Sequence, residues 1–221
     1  MSKNKKESVV YSQKQDQFNY ISHFLGVPVG IAILVFAIIL LIKDSLNIAY
    51  FIGLCVFALT AILLYLVSAF YHHAPQNTER KRIRRIIDHC TIYALIAGTY
   101  TPICLFIMSE HVIGLVVLIV QWSLAIIGIL INAFALDNKV VKVISMILYI
   151  AMGWMILFTT GFRYIPTLSF VFILAGGIVY TIGSILYGIG HKEKWFHSVF
   201  HVFVLLGTIT QAIGVILLFV K

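Results

Sequence analysis

Two imidazoles four residues apart, in His197-Ser-Val-Phe-His201, stand just inside a run of apolar residues that continues to Phe219. On a helix, side chains at i and i+4 project from one face, one above the other. Two histidines at the mouth of an oily segment cost free energy unless something binds them. Neutral imidazole is a favoured zinc ligand, and i,i+4 pairs are a recurring zinc arrangement. The competing reading is a helix-end pair solvated by headgroup water, so other ligands have to decide.

The elements that position such ligands follow from composition. The chain has 221 residues, 61% hydrophobic and 11% charged, with a mean hydropathy of +1.02. That is the composition of a polytopic membrane protein. Cys55, Cys90 and Cys104 are odd in number and form no CxxC, which excludes a disulfide framework and a thiolate metal site. Seven apolar segments are long enough to cross a bilayer, at 24–42, 48–71, 86–108, 112–133, 140–160, 168–189 and 196–219. The expected fold is an all-α integral membrane protein, a seven-helix transmembrane bundle over residues 23–221 behind a short basic tail at 1–22. The first segment is too long for a signal-peptide core and is read as a retained span. Glycines inside the spans, such as Gly98, Gly128 and Gly207, suit close helix packing, and Pro102 suits a kink.

Orientation follows from Lys and Arg. With seven spans, thirteen of the sixteen basic residues share the side of the N-terminal tail, and only Lys43, Arg163 and Lys221 fall opposite. This asymmetry predicts a cytoplasmic N-terminus and an external C-terminus. The net charge of +8 is concentrated at Arg80, Lys81, Arg82, Arg84 and Arg85, where anionic lipid headgroups explain it without nucleic acid.

Depth then gathers the polar residues. Ser68 and His72, themselves i,i+4, fall in the last cytoplasmic turns of the second span. Asp88 falls in the first turn of the third, and His197 and His201 in the first two turns of the seventh. Five polar side chains from three helices converge at one level. His72, His197 and His201 supply three nitrogens and leave a tetrahedral position open, the arrangement of a catalytic zinc. Zinc would supply an acidified water able to attack a carbonyl. No carboxylate lies between His197 and His201, so the base comes from elsewhere. Asp88 is the carboxylate at suitable depth, with Ser68 donating to an oxyanion or orienting a ligand. Pairing of Asp88 with Arg84 or Arg85, and a bond from Ser68 to its own i−4 carbonyl, are the bland alternatives. His73 and His89 point about 100° away from His72 and Asp88. His23, His111 and His191 sit at span ends, where solvated histidine is ordinary.

Three stretches carry a family resemblance: Ser68-Ala-Phe-Tyr-His72, Asp88-His-Cys-Thr-Ile-Tyr-Ala-Leu-Ile-Ala-Gly-Thr-Tyr-Thr-Pro102, and His197-Ser-Val-Phe-His201-Val-Phe-Val-Leu-Leu-Gly207. They resemble the hemolysin III family, the bacterial branch of the progestin and adipoQ receptor superfamily. The resemblance implies seven helices in a bacterial cell membrane with a cytoplasmic N-terminus. It implies zinc on the histidines matching His72, His197 and His201, Asp88 linked to the metal through water, and Ser68 nearby. The family is similar to alkaline ceramidases, which implies a lipid-amide hydrolase, and its members are linked to haemolysis and membrane homeostasis. Many relatives carry a further histidine where this chain has Gln211. That position lies about three turns deeper, beyond reach of the same metal.

Four functions compete. The leading one is a zinc-dependent hydrolase, or hydrolase-like sensor, acting on a lipid amide or ester. A non-catalytic zinc-stabilised homeostasis or receptor-like protein is the second. A pore-forming haemolysin ranks below both, because the spans read as a resident bundle. An ion transporter would want more buried ionisable groups and an internal repeat.

Overall fold

The computed structural model describes residues 11–189 and 195–220. Lys3, Lys5, Lys6, His191, Lys192, Lys194 and Lys221, which enter the charge and end-of-span arguments, lie outside them. The described residues form eight α-helices: α1 Gln13–Phe24, α2 Val27–Ile42, α3 Ile48–His73, α4 Glu79–Met108, α5 Ile113–Ala135, α6 Lys139–Gly153, α7 Thr167–Ile189 and α8 Trp195–Ile216. Two short 3₁₀ turns, Met155–Phe158 and Thr160–Tyr164, join α6 to α7.

Side-chain caps set where several helices start. Asn47, Thr78 and Asn138 accept from Tyr50 N, Lys81 N and Val140 N at the starts of α3, α4 and α6. Ser12 and Gln15 form a capping box that starts α1. Asp44 turns the chain between α2 and α3 with φ 52°, a left-handed conformation that its short polar side chain tolerates.

Among the described residues, six stretches are long and apolar enough to cross a membrane, α1 and α2 counting as one. Their outward residues are apolar: Ile42 is 75% exposed and Phe134 88%. A surface of this kind is satisfied by lipid rather than water. The core runs along α2, α3, α4 and α8, with Leu54, Phe57, Tyr65, Ile103 and Val215 buried together. Gly98 lets α3 and α4 approach, because a Cβ there would stand 2.1 Å from Thr60 Oγ1. Pro102 sits inside α4, which continues through it to Met108.

The segment at 140–160 differs from its expected form. It is helical only to Gly153 and then turns into the 3₁₀ pieces. Tyr100 on α4 explains how the break is tolerated. Its hydroxyl donates to Gly153 O at 2.8 Å and accepts from Ile156 N at 3.1 Å. Gln121 on α5 donates to Met152 O at 2.8 Å. Irregular backbone within an apolar bundle survives where protein groups satisfy it, and two neighbouring helices do so here.

The second half of the residues read as a tail is also structured. Helix α1 carries a polar stripe, Gln15, Asp16, Asn19, Ser22 and His23, all buried. Its apolar residues Phe18, Ile21 and Phe24 face outward. The helix is amphipathic in the inverted sense, and it packs on α3 and α8.

Candidate metal centre

His72 lies near the C-terminal end of α3, and His197 and His201 lie in the first two turns of α8. All three rings turn Nε2 toward a common point. His197 Nε2 is 3.0 Å from His201 Nε2 and 3.5 Å from His72 Nε2. One ligand atom from each lies within 4.8 Å of the others, close enough to hold a metal ion. Tetrahedral zinc with Zn–N bonds of 2.0–2.1 Å separates its nitrogens by about 3.3 Å. The observed edges bracket that length. Three neutral imidazoles crowded nitrogen to nitrogen cannot all satisfy one another, whereas a cation at their centre satisfies all three.

The other predicted residues are near at hand. Ser68 is buried one turn before His72, and its Oγ lies against Asp88 without reaching good hydrogen-bond geometry. The expected alternative, a bond to its own i−4 carbonyl, is not formed. Asp88, Ser68, His197 and His201 line one cavity. That cavity has a volume of about 120 Å³. Away from the histidines its walls become apolar, with Ile92, Leu95, Ile96, Ile150 and Trp154. Gln211 borders it as well, its Cγ packed in the space that Gly176 leaves open.

The basic cluster does not neutralise Asp88 by ion pairs of its own. Arg82 and Arg85 both bind Asp137, and Arg84 donates to Phe70 O at 2.7 Å. Burial pushes the Asp137 carboxyl up, but the hydrogen bond from Arg82 and the charges of Arg85 and Arg82 outweigh it and hold it below its ordinary value. Lys81 departs from the headgroup role expected of it. It is 6% exposed and binds Asp16 Oδ2 at 2.7 Å and Ala74 O at 3.1 Å.

Sequence reasoning missed three residues of the segment before α2. Asp16 Oδ1 accepts from His72 Nδ1 at 2.9 Å. Tyr11 stacks on His197 with ring centres 4.8 Å apart. His23, expected to be an ordinary solvated histidine, is 4% exposed and stacks on His201 at 3.7 Å. The signal was the polar stripe at 15, 16, 19, 22 and 23, which has helical period but reversed polarity. His73 points away and is exposed, as expected, and His111 is exposed against Tyr164. His89 borders the cavity, and its carbonyl accepts from Tyr149 OH at 2.8 Å. The three cysteines are free.

Apolar helices around a buried three-histidine cluster define a multi-pass membrane protein with a candidate metal centre. The chain belongs to the Haemolysin-III related family, whose profile matches residues 11–212. Among its relatives, a hemolysin-3 homolog of Bacillus subtilis (strain 168) is 33% identical over 216 residues, covering 96% of this chain and 98% of that protein. Hemolysin-3 of Bacillus cereus is 35% identical over 197 residues, covering 88% and 87%.

Proposed function

We propose that the chain is a zinc-dependent hydrolase of a lipid amide or ester in the bacterial plasma membrane, with His72, His197 and His201 holding the metal. One observation carries this reading. His197 and His201, whose Nε2 atoms meet that of His72, line a cavity with Asp88 and Ser68, and its other walls are largely apolar. A soluble substrate has no use for such walls, whereas an acyl chain fits them and brings its carbonyl to the histidines.

When bound, zinc supplies Lewis acidity, polarising a carbonyl oxygen and acidifying water. The chain's own groups do the rest. Asp88 accepts the proton of the attacking water from its place on the cavity wall. Ser68 Oγ, buried without a hydrogen bond, donates to the carbonyl oxygen as negative charge builds on it. The apolar walls exclude bulk water and hold the acyl chain in line.

We read seven crossings with the N-terminus cytoplasmic, α6 joining the six long apolar stretches as the seventh. Helix α6 rises about 22 Å and the 3₁₀ turn Met155–Phe158 adds about 8 Å, together near the hydrocarbon thickness of about 30 Å. Arg80 remains exposed for anionic headgroups, while Lys81 is turned inward.

The test is to incubate purified protein with ceramide-like and other acyl lipids, with zinc and with a chelator, using Asp88→Asn and His197→Ala as controls. Zinc-dependent release of fatty acid is expected from the unaltered protein. Asp88→Asn should retain its metal and lose at least 100-fold in rate, within the range for removing a general base. If no lipid yields zinc-dependent product, hydrolysis is refuted. Metal binding without turnover would then favour a non-catalytic zinc protein, which two helices tied together by three histidines would also suit.

A further inference from the structure

We infer that the segment 11–24 is part of the metal centre, supplying one outer partner to each of the three histidines, so that docking of α1 and metal occupancy reinforce each other. This rests on the reading that His72, His197 and His201 hold a metal.

Each histidine has its nearest partner at a different residue of the segment, and Asn19 Nδ2 adds a longer contact of 3.5 Å to His72 Nδ1. Asp16 reaches His72 through a hydrogen bond of 2.9 Å, Tyr11 stacks on His197, and His23 stacks on His201. Each contact lies on the side of its histidine away from the Nε2 cluster or over the ring face. None competes with a metal for the donor atom.

The three contacts do different work. Neutral imidazole carries one proton on either nitrogen. Because Asp16 accepts from His72 Nδ1, that proton is fixed on Nδ1 and the Nε2 lone pair faces the other two rings. A carboxylate behind a ligating histidine also raises its basicity. Asp16 is itself held, since Lys81 and Gln76 both bind its second oxygen. His197 and His201 lack this arrangement, for their Nδ1 atoms are buried with no carboxylate behind them, that of His201 lying toward the backbone of Asn19. Ring stacking holds them instead, with interplanar angles of 23° to Tyr11 and 30° to His23. Both stacking residues flank Asp16 on the same short segment, which begins at the α1 cap and ends at the turn into α2.

The polarity of α1 fits no other purpose on the molecule. A helix lying on a membrane surface turns its apolar face to the bundle or the lipid and its polar face to water. Here the polar stripe is buried and Phe18, Ile21 and Phe24 face outward, and Asp16, Asn19 and His23 of that stripe meet the histidines. Linkage then requires reciprocity. If docked α1 raises metal affinity, bound metal must stabilise docked α1 by the same factor.

Asp16 is therefore a positioning residue, and the test reads metal affinity and helix docking rather than activity. Zinc affinity of the full-length protein in detergent is measured by competition with a chromophoric chelator. Asp16→Asn keeps the shape and the acceptor for His72 Nδ1 but loses the charge. It should weaken zinc binding 10- to 100-fold, the range for outer-partner loss; the metal-free unfolding midpoint should fall too, because buried Lys81 loses its ion-pair partner, and Asp16→Glu should recover part of both losses. In the unaltered protein, hydrogen exchange at amides 13–24 should slow when zinc is added to chelated protein. This second measurement decides the matter should Asp16→Asn fail to fold. Native affinity in Asp16→Asn together with zinc-independent exchange at 13–24 overturns the inference and leaves the three-histidine site standing. An unaltered protein that binds no zinc overturns both.

Discussion

Replacing His201 by alanine probes the metal centre where its geometry is tightest. The edge from His197 Nε2 to His201 Nε2 is 3.0 Å and that from His197 to His72 is 3.5 Å. Removing His201 leaves a single edge and two nitrogens. Gln211 cannot substitute, because ten residues along a helix are about 15 Å. His23 could, since it stacks on His201 at 3.7 Å and would adjoin the vacated space. The experiment therefore needs His201→Ala alone and combined with His23→Ala. A ligand that binds only the folded state stabilises it by roughly 2.7 kcal/mol at a free concentration 100 times its Kd. A tenfold loss of affinity at the same free zinc lowers that to roughly 1.4 kcal/mol, and a larger loss removes it. The readout is the thermal unfolding midpoint in detergent, followed by tryptophan fluorescence, across a buffered zinc series. The unaltered protein should show a midpoint that climbs with zinc. His201→Ala should show a much smaller climb, and the double variant none. A double variant with the full zinc response would refute the assignment of these imidazoles as ligands.

Three other perturbations test the frame around the site. Tyr100→Phe removes the hydroxyl that serves Gly153 O and Ile156 N, leaving two interior backbone groups unpaired; a loss of about 2–4 kcal/mol is expected in unfolding equilibria. Gly98→Ala puts a Cβ 2.1 Å from Thr60 Oγ1 and should cost about 1–3 kcal/mol by forcing α3 and α4 apart, whereas the same change at Gly153, which faces open space, should cost little. Asp137 titrates below its ordinary value because Arg82 and Arg85 bind it, so its contribution is present above the unfolded-state carboxylate pKa of about 3.9 and is lost as pH falls through the lower folded-state value. The difference in unfolding midpoint between the unaltered protein and Asp137→Asn should accordingly be measurable at neutral pH and close in strong acid.

The residues most legible in the sequence were those whose position along a helix fixes both face and depth. His197 and His201 share a face by spacing alone, and His72 and Asp88 reach the same level because their spans begin or end on one side. The structure brings Ser68, Asp88, His197 and His201 to one cavity, with His72 against His197 at 3.5 Å. Less legible was anything that depends on what a polar side chain is turned toward. Residues 13–24 are polar and precede the first apolar run, and such a stretch normally meets water. Only the contact of Asp16 with His72 gives that polarity its direction. Lys81 was grouped with its basic neighbours for the same reason, although its Nζ is bound to Asp16. The break after Gly153 was hidden because hydropathy sums side chains and is blind to backbone hydrogen bonds. A tyrosine fifty-three residues earlier makes that break tolerable.

These omissions share one physical origin. A bundle whose outer surface is satisfied by lipid has no water at hand to solvate a buried donor or acceptor, and an unpaired polar group there costs several kcal/mol. Every polar atom of the metal centre must therefore be matched from within the chain or by a bound ligand. The chain matches some with α1, a helix turned inside out, and others with hydroxyls, such as Tyr65 OH, which reaches Thr208 Oγ1 at 2.6 Å and Val204 O at 3.4 Å. What is left unmatched is informative for the same reason. Ser68 Oγ and both ring nitrogens of His23 are buried without partners, and both residues border the cavity beside Asp88. In so apolar a setting, groups of this kind beside Asp88 suit the polar atoms of the lipid substrate proposed above.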